Sequence, residues 1–316
     1  MDVIQKQLSP SQTDKGKRLD AFLTSQLNSF TREKVKLAIK EGLIAVNSVA
    51  LKKPDYRILG NELIQVNIKR SISHEYVPIP QAIHLPVIYE DEHMLIINKP
   101  AGISTHPSLN AMEDTVVNGL LYMNIPLSDV GGPLRAGIVH RLDKPTSGLL
   151  IIAKNNVAHH AFVRMFKDRT ISKIYIACVY GILPKETDVI ESLISRLHSD
   201  RKRMTTKASK GKEAITQYRV LKRFLDASML MLLPKTGRTH QLRAQLSDMG
   251  YPIVGDHVYS KRKMEFKDKK LQYAFSNFEG VALFAYAISF EHPIYKGMMN
   301  FAAPFPEWLM RITDEQ

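Results

Sequence analysis

The chain of 316 residues is predicted to have an α+β fold with a mixed, mainly antiparallel sheet, preceded by a small αβ module. Segments with the pattern of strands outnumber helical ones, and short turns join many of them, which favours this fold class. With 44% hydrophobic and 24% charged residues, the composition is typical of a globular protein with a sizeable core. The length fits one large domain with a small companion.

The small module is predicted over residues 16–75. Leu19, Phe22, Leu23 and Leu27 recur at helical spacing, which predicts a first helix. Thr31 is placed to cap a second helix, which Gly42 ends. Strand patterns follow over residues 43–47 and 63–68. Two short helices followed by strands make a module large enough to fold alone, although marginally.

Two segments around this module lack a pattern of secondary structure. Residues 1–15 are polar without periodicity and are predicted to form a flexible arm. Residues 71–86 contain three prolines and little charge, so we expect an inter-domain linker over residues 76–86. The large domain is then expected to occupy residues 87–316.

The large domain contains six strand patterns and three helical ones, and no internal repeat. The strands are expected at 87–88, 94–98, 149–153, 173–179, 214–220 and 228–233, and the helices at 114–123, 156–168 and 239–249.

The charge balance points to a polyanionic partner. The chain carries 44 Lys and Arg against 31 Asp and Glu, a formal net charge of +13. Much of this excess lies in the N-terminal module and in two basic clusters, residues 196–212 and 261–270. Such an excess favours nucleic acid, although by itself it could serve only solubility.

Several classes of protein are disfavoured by the sequence. No apolar run approaches the roughly 18 residues of a membrane span, and the N-terminus lacks the pattern of a secretory signal. Cys178 is the single cysteine, which excludes an internal disulfide framework and a cysteine-cluster zinc site. The histidines show no ligand spacing, so no metal is expected. We therefore expect a cytoplasmic monomer without membrane contact.

The densest group of chemically useful residues is His140-Arg141-Leu142-Asp143, which precedes a Pro-Thr-Ser-Gly turn and an apolar strand. In extended chain, Arg141 and Asp143 share one side while Leu142 faces the core. A carboxylate and a guanidinium then stand together at a strand end. A surface ion pair before an ordinary loop is an equally good interpretation of these residues alone.

The segment from His140 to Asn155 resembles the signature of the RluA-type pseudouridine synthases. Residues 91–107, the Lys173-Ile-Tyr175 segment and residues 236–243 resemble three further motifs of this family, in order, within a similarity that covers residues 85–310. Residues 17–68 are similar to an S4 RNA-binding module, as in the RluD-like members. Four ordered motifs over most of a chain are very specific.

The resemblance implies an RNA pseudouridine synthase that isomerises uridines, with large-subunit (23S) ribosomal RNA or a pre-ribosomal particle as the expected substrate. This isomerisation has no net redox change and no group donor, so no cofactor is needed. Asp143 is the implied catalytic carboxylate. The sequence leaves open whether it attacks C1′, attacks the uracil ring, or takes a proton from C2′ to give a glycal.

Three further residues receive roles from the resemblance. Arg243 is expected to hold Asp143 through a salt bridge, and Tyr175 to stack on or hydrogen-bond the uracil. Arg141 is expected to fill the place of the flipped nucleotide. The alternatives are a surface arginine, a core tyrosine, and an arginine that pairs only with Asp143 or phosphate.

RNA contacts outside the site are expected from two basic groups. Arg32, Lys34 and Lys36 lie in the second helix of the S4-like module, and Arg201, Lys202 and Arg203 lie in the first late cluster. A solvated surface is the alternative interpretation for any single lysine. For the whole chain, a transfer-RNA synthase, a non-catalytic ribosome-assembly factor and a glycoside hydrolase are the alternatives, although Asp143 has no obvious acid partner for the last.

Overall fold

The structure is a computed structural model that describes residues 3–27, 30, 32–69, 77–108, 112–197, 199–200 and 203–313. The chain divides into two compact units, residues 1–76 and 77–316. No helix in the described part of the chain is long and apolar enough to cross a membrane.

The N-terminal unit packs two helices on a four-stranded antiparallel sheet. Helices α1 (Leu19–Gln26) and α2 (Arg32–Lys40) confirm the two predicted helices. The sheet order is β1 (Val3–Leu8), β4 (Ile64–Lys69), β2 (Ile44–Val46) and β3 (Val49–Ala50). The predicted apolar spacing is borne out, because Leu19, Phe22, Leu23 and Leu27 are all buried in the core of this unit.

The prediction of a flexible arm over residues 1–15 is wrong for residues 3–15. Strand β1 pairs with β4 along its whole length, with Ile4 opposite Ile68. Gln5, Lys6 and Gln7 of this strand are exposed, so its side chains show little apolar pattern. Backbone hydrogen bonds to the edge of β4 hold the strand, and polar composition does not reveal such bonds.

The prediction of a linker over residues 76–86 is wrong for residues 77–86, which belong to the second unit. Leu85 is buried against Val116 and Leu120. The Asn118 amide donates to the carbonyl of Ile79 at 2.8 Å. The prolines prevent regular secondary structure here, but the apolar side chains still pack. Residues 71–76 lie outside the described residues.

The second unit is built on a ten-stranded sheet in the order β10, β9, β11, β12, β8, β13, β7, β6, β5, with β14 paired to β13. The strands are β5 (Val87–Glu90), β6 (Met94–Lys99), β7 (Ser147–Ala153), β8 (Ser172–Tyr180), β9 (Thr187–Arg196), β10 (Met204–Thr205), β11 (Lys212–Arg223), β12 (Ala227–Pro234), β13 (Leu283–Glu291) and β14 (Met298–Ala302). Among these described strands only β7 and β13 pair in parallel. The predicted α+β fold with a mixed, mainly antiparallel sheet is confirmed.

Helices of the second unit cover the sheet. They are α3 (Val116–Tyr122), α4 (Asn156–Lys167), α5 (Gln241–Asp248), α6 (Lys269–Ala274) and α7 (Glu307–Thr313). The helices predicted at 114–123, 156–168 and 239–249 are confirmed as α3, α4 and α5. Strand β9 escaped prediction because exposed and half-buried residues alternate along it without an apolar face.

The parallel contact between β7 and β13 fixes the position of the turn that follows the His140–Asp143 segment. Gly148 at the start of β7 has a φ of +116°. A Cβ there would lie 2.3 Å from the carbonyl oxygen of Ala285 on β13, so only glycine permits this approach. The Pro-Thr-Ser-Gly turn therefore has a packing reason for its glycine.

Candidate active site

A cleft of about 520 Å³ opens on the second unit. It is lined by residues of 139–146, by the end of α4 with the start of β8, by residues 234–243, and by Leu283 of β13. Asp143, Arg141, Tyr175 and Arg243 are all among its lining residues. The structure thus brings the four predicted site residues together, although up to 102 positions separate them in the sequence.

The Arg141-Leu142-Asp143 segment is held in place by the Thr105 hydroxyl and by the buried side chain of Leu142. Leu142 is 4% exposed and packs in the core. The Thr105 hydroxyl donates to the Leu142 carbonyl at 2.9 Å and accepts from its N–H at 3.2 Å. Arg141 is exposed and Asp143 is partly buried on either side of this anchor. The alternation predicted for these three residues is present.

Lys99 supports the turn from inside the protein. Its ammonium is fully buried and donates to the carbonyls of Pro100 at 2.7 Å, Ile103 at 3.0 Å and Lys144 at 3.3 Å. Burial lowers the pKa of Lys99 to about 7, against the raising effect of Asp143. Because Lys144 directly follows Asp143, the hydrogen bond from Lys99 to the Lys144 carbonyl fixes the backbone that carries the Asp143 carboxylate.

Arg243 joins two carboxylates. Its Nη1 donates to Oδ2 of Asp143 at 3.2 Å. Its Nε and Nη2 donate to the two carboxylate oxygens of Asp256 at 2.7 and 2.9 Å, a bidentate pair. Burial lowers the pKa of Arg243, but Asp256 and Asp143 together raise it above its ordinary value, so the guanidinium stays charged. Arg243 therefore stands where the resemblance implies.

Asp256 was missed at the level of sequence. It follows Gly255, whose φ is +76° and whose Cβ would lie 2.1 Å from the carbonyl oxygen of Gly280. At position 255 only glycine fits, and an aspartate directly after such a glycine is a weak sequence signal for a fixed polar group. With its side chain fully buried, Asp256 turns the guanidinium of Arg243 into a rigid support for Asp143.

His240 and Tyr259 were also missed. His240 precedes α5 in the left-handed conformation, with a φ of +54°. Its Nε2 lies 3.9 Å from Oδ2 of Asp143, and its Nδ1 lies 3.1 Å from the Tyr259 hydroxyl. Burial lowers the pKa of His240, although Asp143 opposes this shift. The neutral imidazole therefore packs beside the carboxylate without a second full positive charge.

Tyr175 and Lys173 project from β8 into the cleft on one side of the strand. Burial, together with Asp143, raises the pKa of Tyr175 above its usual range, so its phenol stays protonated. The Lys173 ammonium lies 6.0 Å from the ring centroid of Phe166, and burial lowers the pKa of this lysine. A neutral aromatic ring and a cation thus share one wall of the cleft.

The rim of the cleft is basic. Arg141, Lys167, Arg169, Lys235 and Arg238 line it, and Asp143 is the one acidic residue among the described residues that do so. Such a rim attracts a polyanion and leaves the single carboxylate inside. In the part of the chain that the structure describes, no three His, Cys, Asp or Glu side chains are placed to hold a metal ion.

The residues predicted to bind RNA fall in different places. Arg32, Lys34 and Lys36 lie on α2. The Arg32 guanidinium contacts the buried carboxylate of Asp20 at 3.1 Å. Arg203 lies beside Tyr259, with its guanidinium carbon 5.3 Å from the ring centroid. Arg201 and Lys202 lie outside the described residues.

Comparison with known proteins identifies the family. A family model described as RNA pseudouridylate synthase matches residues 93–248, and an S4 domain model matches residues 17–64. An uncharacterized RNA pseudouridine synthase of Bacillus subtilis is 35% identical over 98% of this chain and 97% of its own length. The chain belongs to the RNA pseudouridine synthase family. It is an isomerase that acts on RNA and carries an S4 RNA-binding domain.

Two further relatives agree with this assignment. The ribosomal large subunit pseudouridine synthase D of Neisseria meningitidis (strain Z2491) is 38% identical over 92% of this chain and 76% of its own length. Among solved structures, human RNA pseudouridylate synthase domain containing 1 superimposes with a TM-score of 0.56 at 25% identity, over 72% of this chain and 85% of that one. The catalytic fold of the enzyme is therefore that of a pseudouridine synthase.

Proposed function

We propose that the enzyme converts specific uridines of large-subunit ribosomal RNA to pseudouridine, with Asp143 as the catalytic carboxylate. Relatives from Neisseria meningitidis and Vibrio cholerae that cover at least 92% of this chain are named ribosomal large subunit pseudouridine synthase D. The basic rim of the cleft and the S4 domain suit a folded RNA substrate.

The observation that carries the role of Asp143 is its place in the cleft. It is the one carboxylate among the described lining residues, and its side chain is 15% exposed. Arg243 fixes its Oδ2 and is itself held by Asp256. The arrangement holds one carboxylate in place inside the cleft.

The reaction requires a charge of this kind. The bond between N1 of uracil and C1′ breaks, the base turns, and C5 bonds to C1′ while the C5 proton leaves and N1 gains a proton. Positive charge develops on the sugar as the first bond breaks, and a carboxylate stabilises it. Attack at C1′, attack on the ring and removal of the C2′ proton all begin from the same carboxylate, that of Asp143.

Arg141 and Tyr175 contact the RNA around the reacting nucleotide. A uridine within stacked RNA has to leave the stack, at a cost of a few kcal/mol. Arg141 is exposed at the edge of the cleft, and its planar guanidinium can stack in the vacated place. Tyr175 lies deeper, where its ring can cover the uracil.

Product mapping tests the proposed substrate. The purified enzyme is incubated with large-subunit ribosomal RNA, small-subunit ribosomal RNA and transfer RNA, each transcribed in vitro without modified bases. Pseudouridines are located by carbodiimide labelling and primer extension, with RNA incubated without enzyme as the control. We expect discrete new sites in the large-subunit RNA alone. Sites in transfer RNA with none in large-subunit RNA would contradict the proposed substrate.

A further inference from the structure

The two basic clusters, residues 196–212 and 261–270, both contribute to another cleft, which is separate from the one that holds Asp143. This second cleft has a volume of about 350 Å³ and is lined by Asp200, Arg203 and residues 257–261. Arg203 comes from the cluster at 196–212 and Lys261 from the cluster at 261–270. Folding therefore brings together positive charges that are far apart in the sequence.

Arg203, which lines this cleft, has an unpaired donor. Its Nε is buried and has no hydrogen-bond partner. A buried donor without an acceptor costs free energy, and the donor of a charged group costs more than a neutral one. An anion bound to the Arg203 guanidinium from the cleft would offset the cost of burying this charge.

The floor of the second cleft is the turn that also supports the active site. Asp256, which begins this turn, accepts the N–H groups of Val258 at 3.2 Å and Tyr259 at 3.3 Å. The same carboxylate holds Arg243. The Tyr259 ring centroid lies 5.3 Å from the Arg203 guanidinium carbon and 5.1 Å from that of Arg243. One rigid turn thus connects the second cleft to the support of Asp143.

The lining residues select the class of ligand. Arg203, Lys261 and the hydroxyl of Ser260 suit a tetrahedral oxyanion, and Asp200 is the one acidic residue among the described residues that line the second cleft. We infer that the second cleft binds a backbone phosphate of the RNA substrate through Arg203 and Lys261. The inference rests on the proposed function for the identity of the RNA.

The test compares two single variants with their combination. Arg203→Ala, Lys261→Ala and the double variant of the full chain are titrated with in vitro transcribed large-subunit ribosomal RNA at several salt concentrations. Each single change is expected to weaken binding roughly tenfold and to lower the salt slope by about 1. Since both cations hold one phosphate, the double variant should lose clearly less than the product of the two single effects.

Lys263→Ala is the matched control, because Lys263 belongs to the same basic segment, is 84% exposed and lies outside the second cleft. It should change RNA affinity by less than about twofold. Single variants that bind like Lys263→Ala, or single effects that multiply in the double variant, would overturn the inference. Thermal melting of each variant confirms that it is folded.

The same titrations separate this inference from the proposed substrate. Phosphate contacts do not depend on sequence, so both single variants should also lose affinity for transfer RNA. If product mapping finds pseudouridine only in transfer RNA, the substrate assignment fails while these losses still support the phosphate site. If mapping succeeds on large-subunit RNA and the variants bind normally, the phosphate site alone is wrong.

Discussion

In the N-terminal unit a buried carboxylate holds two partly exposed guanidinium groups, whereas in the catalytic unit a buried guanidinium holds two carboxylates. The Asp20 side chain is fully buried and contacts Arg18 at 3.0 Å and Arg32 at 3.1 Å. Arg243 is 3% exposed and contacts Asp256 and Asp143. The charge at the centre of the group is negative in the N-terminal unit and positive in the catalytic unit.

The difference shows which group each unit offers to its substrate. Around Asp20 the side chains of Arg18 and Arg32 are 39% and 49% exposed, so positive charge lies at the surface. Around Arg243 the exposed partner is Asp143, so negative charge reaches the cleft. Positive charge suits RNA phosphates, and negative charge suits the sugar carbon that becomes positive during glycosidic cleavage.

The largest effect is expected when the central guanidinium is removed. Arg243→Gln leaves Asp256 buried without its cation, which costs about 3–5 kcal/mol of unfolding free energy, and frees Asp143 from its support. The single-turnover rate should fall about 100- to 1,000-fold. Denaturant unfolding and product formation measure the two effects.

Arg219→Gln is the control for this change, because Arg219 is an exposed arginine on β11. It should stay within about 0.5 kcal/mol of the wild type and retain full activity. A stable, active Arg243→Gln enzyme would show that Asp143 needs no fixed guanidinium.

A smaller effect is expected at Tyr175 of the catalytic unit. Tyr175→Ala removes the ring from the cleft, and loss of one base–aromatic stack is worth about 1–3 kcal/mol. Tyr175→Phe keeps the ring, so its single-turnover rate should lie between those of the wild type and Tyr175→Ala. A Phe variant as slow as the Ala variant would place the contribution in the hydroxyl.

On the N-terminal side, Arg32→Ala should weaken RNA binding without slowing the chemical step. Loss of one phosphate contact lowers the salt slope of binding by about 1 and leaves the rate at saturating RNA unchanged. Arg18→Ala is the matched control, since it removes the other partner of Asp20 but lies outside the predicted RNA-binding group. Equal losses in both variants would indicate that the ion pairs only stabilise the unit.

The effect with the narrowest range is a pH dependence confined to the N-terminal unit, which appears only at acidic pH. The hydrogen bonds from Arg18 and Arg32, against desolvation, lower the pKa of Asp20 to about 2. The stability from this carboxylate is then fully present above its unfolded pKa near 4 and is lost as the pH falls towards 2. In the wild type, the unfolding free energy of this unit should fall by about 2 kcal/mol over this pH range. Hydrogen exchange of peptides from residues 16–69 should show that Asp20→Asn lacks this decrease. An unchanged pH profile would contradict the arrangement.

Sequence alone could predict the parts of the site that lie on short continuous patterns. The alternation in Arg141-Leu142-Asp143 needs only the period of extended chain, and the apolar spacing of α1 needs only that of a helix. These local rules also led to the correct fold class, because the strand patterns were dense and the connections short.

Features that depend on distant backbone could not be predicted in this way. Strand β1 is specified by hydrogen bonds to β4, not by its own polar side chains. Asp256 finds Arg243 across a turn that depends on close approach of Gly255 to Gly280. The second cleft combines residues from the two basic clusters, which are far apart in the sequence, with the turn that contains Tyr259.

In the proposed mechanism the reacting charge lies on the carboxylate of Asp143. Asp143→Asn keeps the shape of this side chain and can still accept from Arg243, so RNA affinity should stay within about twofold of the wild type. The decisive measurement is the rate of pseudouridine formation in a single turnover, with enzyme in excess over large-subunit ribosomal RNA. We expect a loss of at least about 1,000-fold with binding preserved. Turnover at the wild-type rate would remove Asp143 from its catalytic role.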